Sequence, residues 1–206
     1  TYPDVIDTIP AMNDVISNLN SRRSVRGYTG QPLDREQITR LLECGVRAPN
    51  GCNTQPWRFV VITDREVMDR YSGRAKSLFS MHLEKQMQGD PPGMDNLRNL
   101  KRMMDDPAND IFHGAPCLIL IFCAPGAMTP AQDSALCAQN MMLAAHSMGL
   151  GSLWVGFASP LGQDPEARRE LGVPEDHTLQ AQLVFGHPAK DLGPTPRKEP
   201  VVLKWI

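Results

Sequence analysis

The run CLILIFCA, residues 117–124, constrains this chain more than any other stretch. Pro116 and Pro125 bracket it, so it is far too short to cross a bilayer, which takes about 20 apolar residues. It shows no alternation of polar and apolar residues. A strand with that pattern is covered on both faces, so the chain must supply a layer on each side of a sheet. With 206 residues it is long enough for one such domain and short for two.

The flanking segments provide the other elements. A first helix is expected over about 12–21, after a loose arm at 1–11. In PLDREQITRLLECGVRAP, Asp34 can cap a second helix with Gln37 three residues on. Ile38, Leu41, Leu42 and Gly45 share its apolar face, and Pro49 stops it. WRFVVIT reads as a strand. Residues 65–112 are polar, helical in places and broken by GDPPG, the least regular part of the chain and a candidate lid over a site. PAQDSALCAQNMMLAAHSMG, about 130–148, predicts a long helix buried either centrally or against a second subunit. GSLWVG reads as a short bend, PEARRELGVP as a helix ended by Gly172, and LQAQLVFG as a strand of alternating polarity. A Pro-rich stretch leads to VVLKWI, a strand-like run suited to pairing with another subunit's sheet. Strands separated by helices give an α/β or α+β layered domain, here a single one over 12–206.

Charge and cysteine usage narrow the function. A net charge of −2 does not suit a protein that coats nucleic acid, so any basic site must be local. Five cysteines, odd in number and without CxxC spacing, suggest reduced thiols in a cytoplasmic protein. The histidines are scattered and no metal site is expected. No signal-peptide pattern opens the sequence, so a soluble protein is expected.

Four clusters remain. In SRRSVRG, Arg22, Arg23 and Arg26 surround Ser24. They either end a solvated helix, where cations suit the C-terminal dipole, or await a phosphate, whose oxygens match guanidinium forks. In APNGCNTQPW, Asn50, Asn53 and Gln55 gather amides on a stiff loop. That loop is either a hydrogen-bonded connection or a partner for a flat heteroaromatic ring. GLGSLWVGF places glycines where backbone can approach a ligand or another chain. In FGHPAKDLGPTPRK, Arg197 stands in an extended arm. No Ser-His-Asp set or carboxylate pair offers hydrolytic chemistry.

Taken in order, these motifs resemble the nitroreductase family of FMN-dependent oxidoreductases. The likeness runs from SRRSVR through APNGCNTQPWRFVV and GAPCLILIFCA to QNMMLAAHSMGLGSLWVG and FGHPAKDLGPTPRK. It implies an α+β fold with a central, mostly antiparallel sheet flanked by helices. It also implies a homodimer whose C-terminal arm, 187–206, is swapped onto the partner, with FMN at the interface. Arg22, Arg23 and Ser24 would hold the phosphate, with Arg197 returning to it, and Arg26 would face the N1/O2 edge of the ring. Pro49, Asn50, Gly51 and Asn53 would approach from the other subunit, supported by Gln55. Leu153, Trp154, Val155 and Gly156 would line the ring near N5 and O4. The implied reaction is a ping-pong transfer of hydride from NAD(P)H through FMN to a nitroaromatic, quinone or similar small acceptor. Family members that cleave flavin, dehalogenate a tyrosine derivative or merely carry flavin form the alternative.

Overall fold

The computed structural model describes residues 13–89 and 92–206. The expected arm at 1–11, and the first residue of the expected helix at 12, lie outside them. Four strands form the sheet: β1 (Trp57–Ile62), β2 (Cys117–Cys123), β3 (Gly151–Trp154) and β4 (Thr178–Gly186). Their order is β1-β2-β4-β3 and every neighbouring pair is antiparallel. β2 is central, and every one of its residues is buried, as its unbroken apolar run requires.

The two faces of the sheet carry separate cores. On one, Leu118, Leu120, Phe122 and Val184 pack with residues of α3 (Arg65–Gln86), α4 (Met94–Asp105) and the 3-10 segment Gly156–Gln163. On the other, Ile119, Ile121, Leu183 and Phe185 meet α2 (Arg35–Gly45) and α5 (Pro130–Ser147). Cys117 and Cys137 lie in this second core, where burial pushes both thiols up to about 12 and leaves them unreactive.

Local chemistry explains the element ends. Asp34 Oδ1 accepts from Gln37 N at 2.7 Å while Gln37 Oε1 accepts from Asp34 N at 3.0 Å, the expected capping box. Gly45 lets α2 lie close on α5, since a Cβ there would come within 2.8 Å of Met141 Cγ. α6 (Pro165–Glu170) stops as Gly172 takes φ +65.

Three readings of the sequence need correction. GSLWVG is not merely a bend, because its first four residues form the edge strand β3 on β4. β4 alternates in polarity at its start, yet its last six residues are all buried, Gln182 among them, because layers cover both faces of the sheet. The 65–112 segment is more regular than its composition suggests. It forms α3 and α4, burying Met68, Tyr71, Ala75, Leu83 and Met104 over one face of the sheet. Lys76 is drawn into that layer, donating to Asp106 O at 2.8 Å and Asn109 O at 2.6 Å beyond the end of α4. VVLKWI forms no strand within this chain. Residues 191–206 are exposed throughout, with Trp205 87% and Leu203 97% accessible.

Candidate functional site

α1 (Asp14–Ser21) opens with Asn13, whose side chain accepts from Ile16 N, and closes at Arg22, where the backbone turns extended. The segment that follows is stitched along the open edge of the sheet. Val25 N donates to Ser152 O at 3.0 Å, and Ser24 bridges Ser152 in parallel. Thr29 N donates to His187 O and Ala189 N to Gly27 O, both at 3.0 Å. Two glycines make the approach possible. A Cβ on Gly151 would lie 2.7 Å from Val25 Cγ2, and one on Gly186 would lie 2.8 Å from Tyr28 Cδ1. The arginine cluster therefore stands beside β3 and the 153–156 segment because close backbone contact holds it there.

The cations converge without an acid between them. Among the described residues, Arg22, Arg23, Arg26 and Arg197 form no ion pair. Arg22 is half-buried, and its Nη1 is buried with no hydrogen-bond partner. Burial, and after it the charges of Arg197 and Arg23, lowers its pKa from the ordinary guanidinium value. Arg23 is oriented by backbone: Nε donates to Gly193 O at 3.2 Å and Nη1 to Asn20 O and Arg22 O. The first bond fastens the C-terminal arm beside the cluster, which brings Arg197 near. Arg26 is exposed, and its charge bears on Tyr28 and on His113. A half-buried guanidinium without an ion pair, with two more beside it, has the chemistry to take a compact anion of more than one charge.

The second cluster, residues 49–56, is a tight loop with an internal latch. Asn50 Oδ1 accepts from Gln55 N at 2.8 Å, and Thr54 Oγ1 donates to Gly51 O at 3.0 Å. Cys52, Asn53 and Gln55 all take positive φ, near 50°. Each such non-glycine residue costs about 1–3 kcal/mol and persists only where its surroundings over-determine it. Here the surroundings include Asp133, which the sequence reading passed over. Its buried carboxylate takes Gly51 N at 3.1 Å and Thr129 Oγ1 at 2.9 Å on Oδ1, while Oδ2 has no partner. The loop is thus seated on the first turn of α5.

The ring-lining candidates divide. Leu153 and Val155 are buried in the core, 5% and 3% exposed, and present almost no surface in the single chain. Val155 N is already donated to Gln182 O at 2.8 Å. Trp154 is half-buried and Gly156 exposed.

One chain does not bring all these residues together. The 49–56 loop sits on α5 at Thr129 and Asp133, whereas the arginines sit at its other end, where Asn18 Nδ2 donates to Leu143 O and Ser21 meets His146. At about 1.5 Å per helical residue, Asp133 and His146 stand about 20 Å apart.

With this geometry in hand, the comparison with known proteins is decisive: the model of the nitroreductase family matches residues 19–187. The chain belongs to the nitroreductase family. A Methanothermobacter thermautotrophicus protein named "Putative NADH dehydrogenase/NAD(P)H nitroreductase" is 28% identical over 195 residues, covering 91% of this chain and 84% of that one. Iodotyrosine deiodinase from Danio rerio is 27% identical over 180 residues, 84% of this chain and 59% of the deiodinase's length. Among solved structures, a nitroreductase with bound FMN from Bacteroides fragilis superposes with a TM-score of 0.77 at 25% identity, covering 95% of this chain and 99% of that one. The α+β nitroreductase fold expected from the motifs is the fold observed. No helix among the described residues is long and apolar enough to cross a membrane.

Proposed function

We propose that this protein is a cytoplasmic, FMN-dependent oxidoreductase that works as a homodimer, passing electrons from NAD(P)H to a nitroaromatic, quinone or similar electron-poor acceptor. The observation that carries the reading is the acid-free convergence of Arg22, Arg23 and Arg197, with a buried Arg22 Nη1 that has no partner. That donor set fits the phosphate of FMN, and the family's FMN-bound member from Bacteroides fragilis supports the same cofactor. When bound, FMN would supply the two-electron redox chemistry that such a transfer needs.

The chain's own residues divide the remaining work. Arg22, Arg23 and Arg197, with Ser24, grip the phosphate. Charged hydrogen bonds give about 1.5–3 kcal/mol each, so three supply roughly 5–9 of the roughly 12 kcal/mol that nanomolar binding requires. Burial of the ring against Trp154 and Gly156, with Leu153 and Val155 packed behind them, accounts for the rest. Arg26 holds a fixed positive charge at the N1/O2 edge, where it favours the reduced state of the ring.

The loop of Pro49, Asn50, Gly51, Asn53 and Gln55 lies about 20 Å along α5 from its own chain's arginines, at the opposite end of that helix. A second copy presents it. The exposed apolar faces fit that assembly, since Val15 and Leu19 on α1 and Val201, Leu203 and Trp205 on the arm stand in solvent in one chain. The 65–112 segment shapes the choice of acceptor.

The test is direct. Purified protein is yellow, its flavin bleaches on anaerobic mixing with NADH or NADPH, and a nitroaromatic or quinone restores the colour. Protein that neither carries nor takes up FMN contradicts the reading. The deiodinase relatives favour a second acceptor class, halogenated phenols, and release of halide in the same assay selects it.

A further inference from the structure

Ser21, the last residue of α1, has Oγ 2.7 Å from Ser17 O and 2.7 Å from His146 Nε2. The hydroxyl links the imidazole to the end of α1, and the ring's second nitrogen is left to gain or lose a proton. Asn18 Nδ2 donates to Leu143 O at 3.0 Å, so the last turns of α1 and α5 are pinned at two points. The imidazole stands at the root of the arginine cluster. The charged groups that face it are Arg22 and Arg23 from the segment after α1, with Arg197 of the arm beyond Arg22. No described carboxylate comes within ion-pair distance of it.

We propose that His146 is a fourth member of the phosphate site, an imidazole that takes up a proton as a phosphate dianion binds and so couples cofactor affinity to pH. The inference rests on the reading that FMN phosphate sits among Arg22, Arg23 and Arg197. In the ligand-free chain, burial and then the charges of Arg22 and Arg23 hold the imidazole below its usual range, so it is neutral at pH 7. A dianion reverses the sign of the local field, and the C-terminal end of α5 also favours a cation. The bound-state pKa therefore lies above the free one, and a proton is taken up between the two. Affinity rises as pH falls through that window, up to tenfold for each unit by which the anion raises the imidazole. The gain ends near pH 6, where the phosphate itself takes up a proton. The coupling selects a phosphate monoester over the same ring without one.

Flavin-free, full-length protein titrated with FMN at neutral pH in two buffers of unlike ionisation heat reports proton uptake by calorimetry. Wild type is expected to take up a substantial fraction of a proton. His146→Gln keeps an N–H for Ser21 Oγ but cannot titrate, so it loses that uptake and the tightening at lower pH. Riboflavin gives no uptake with either protein. Equal uptake by wild type and His146→Gln overturns the proposal. Should that variant fail to fold, the titration midpoint of the His146 ring protons in wild type is followed by NMR. A rise on adding FMN supports the proposal and an unmoved midpoint overturns it. Wild type that fails to bind FMN, or Arg22→Ala that binds it undiminished, defeats the phosphate reading and this proposal together.

Discussion

Gly151→Ala tests whether the site depends on how closely the arginine segment lies against the sheet edge. The new Cβ would sit 2.7, 2.9 and 3.0 Å from Val25 Cγ2, Cβ and Cγ1. Val25 is 6% exposed, and its N–H is bonded to Ser152 O, so neither side has slack. Overpacking of this kind costs about 1–3 kcal/mol, and replacing glycine returns about 0.4–1 kcal/mol through the unfolded chain. The net loss, from about zero to roughly 2.5 kcal/mol, corresponds to a Tm lower by up to about 10 °C in a chain of this size. The strain falls three residues from Arg22, so FMN affinity should drop as well. Gly27→Ala is the internal control. It lies on the same segment, meets nothing within 4 Å and should leave Tm and affinity unchanged or slightly improved. Thermal unfolding and fluorescence titration at one fixed protein concentration measure both effects. If Gly151→Ala matched Gly27→Ala in both, the claim that close backbone contact positions the cations would be wrong.

Four further outcomes follow from the same geometry. Arg22→Ala should weaken FMN binding by about 10- to 150-fold while leaving riboflavin binding nearly unchanged, as titrations with the two flavins would reveal. Asp133→Ala frees Gly51 N and Thr129 Oγ1 at a buried position; chemical denaturation should report a loss of about 1–3 kcal/mol. Asp164 is held below the usual carboxylate range first by its bond to Arg74, so its contribution is present above about pH 4 and lost as acid protonates it. Asp164→Asn should therefore lower stability at neutral pH and flatten the acid limb of the pH–stability curve. Removing residues 201–206 takes away the exposed Val201, Leu203 and Trp205, and light scattering should then show dimer giving way to monomer.

The sequence disclosed elements whose pattern was complete within a few residues. The apolar run of β2, the Asp34–Gln37 box of α2 and the Gly172 stop of α6 each carry their own explanation. α3 did not, because its buried face includes Ser72, Lys76 and Ser80, polar residues that find partners only in the folded chain. β3 was hidden because four residues flanked by glycines become a strand only through β4. In the site, the arginines and the Asn50 loop stood out by type and spacing. Asp133 and His146 did not, since an acid in a first helical turn and a lone histidine in a last one look like ordinary dipole companions. Only the loop resting on one end of α5 and the arginines on the other give those two residues their roles.

The central claim is that each cofactor is held by the arginines of one copy and the 49–56 loop of another. Two variants that each fail to retain flavin, Arg22→Ala/Arg23→Ala and Asn50→Ala/Asn53→Ala, can be unfolded together and refolded as a mixture. Random reassortment makes half the dimers mixed, each with one intact site, so bound FMN should return to about a quarter of the wild-type amount. A mixture that stays colourless, or a monomer that binds one FMN by itself, contradicts a shared site.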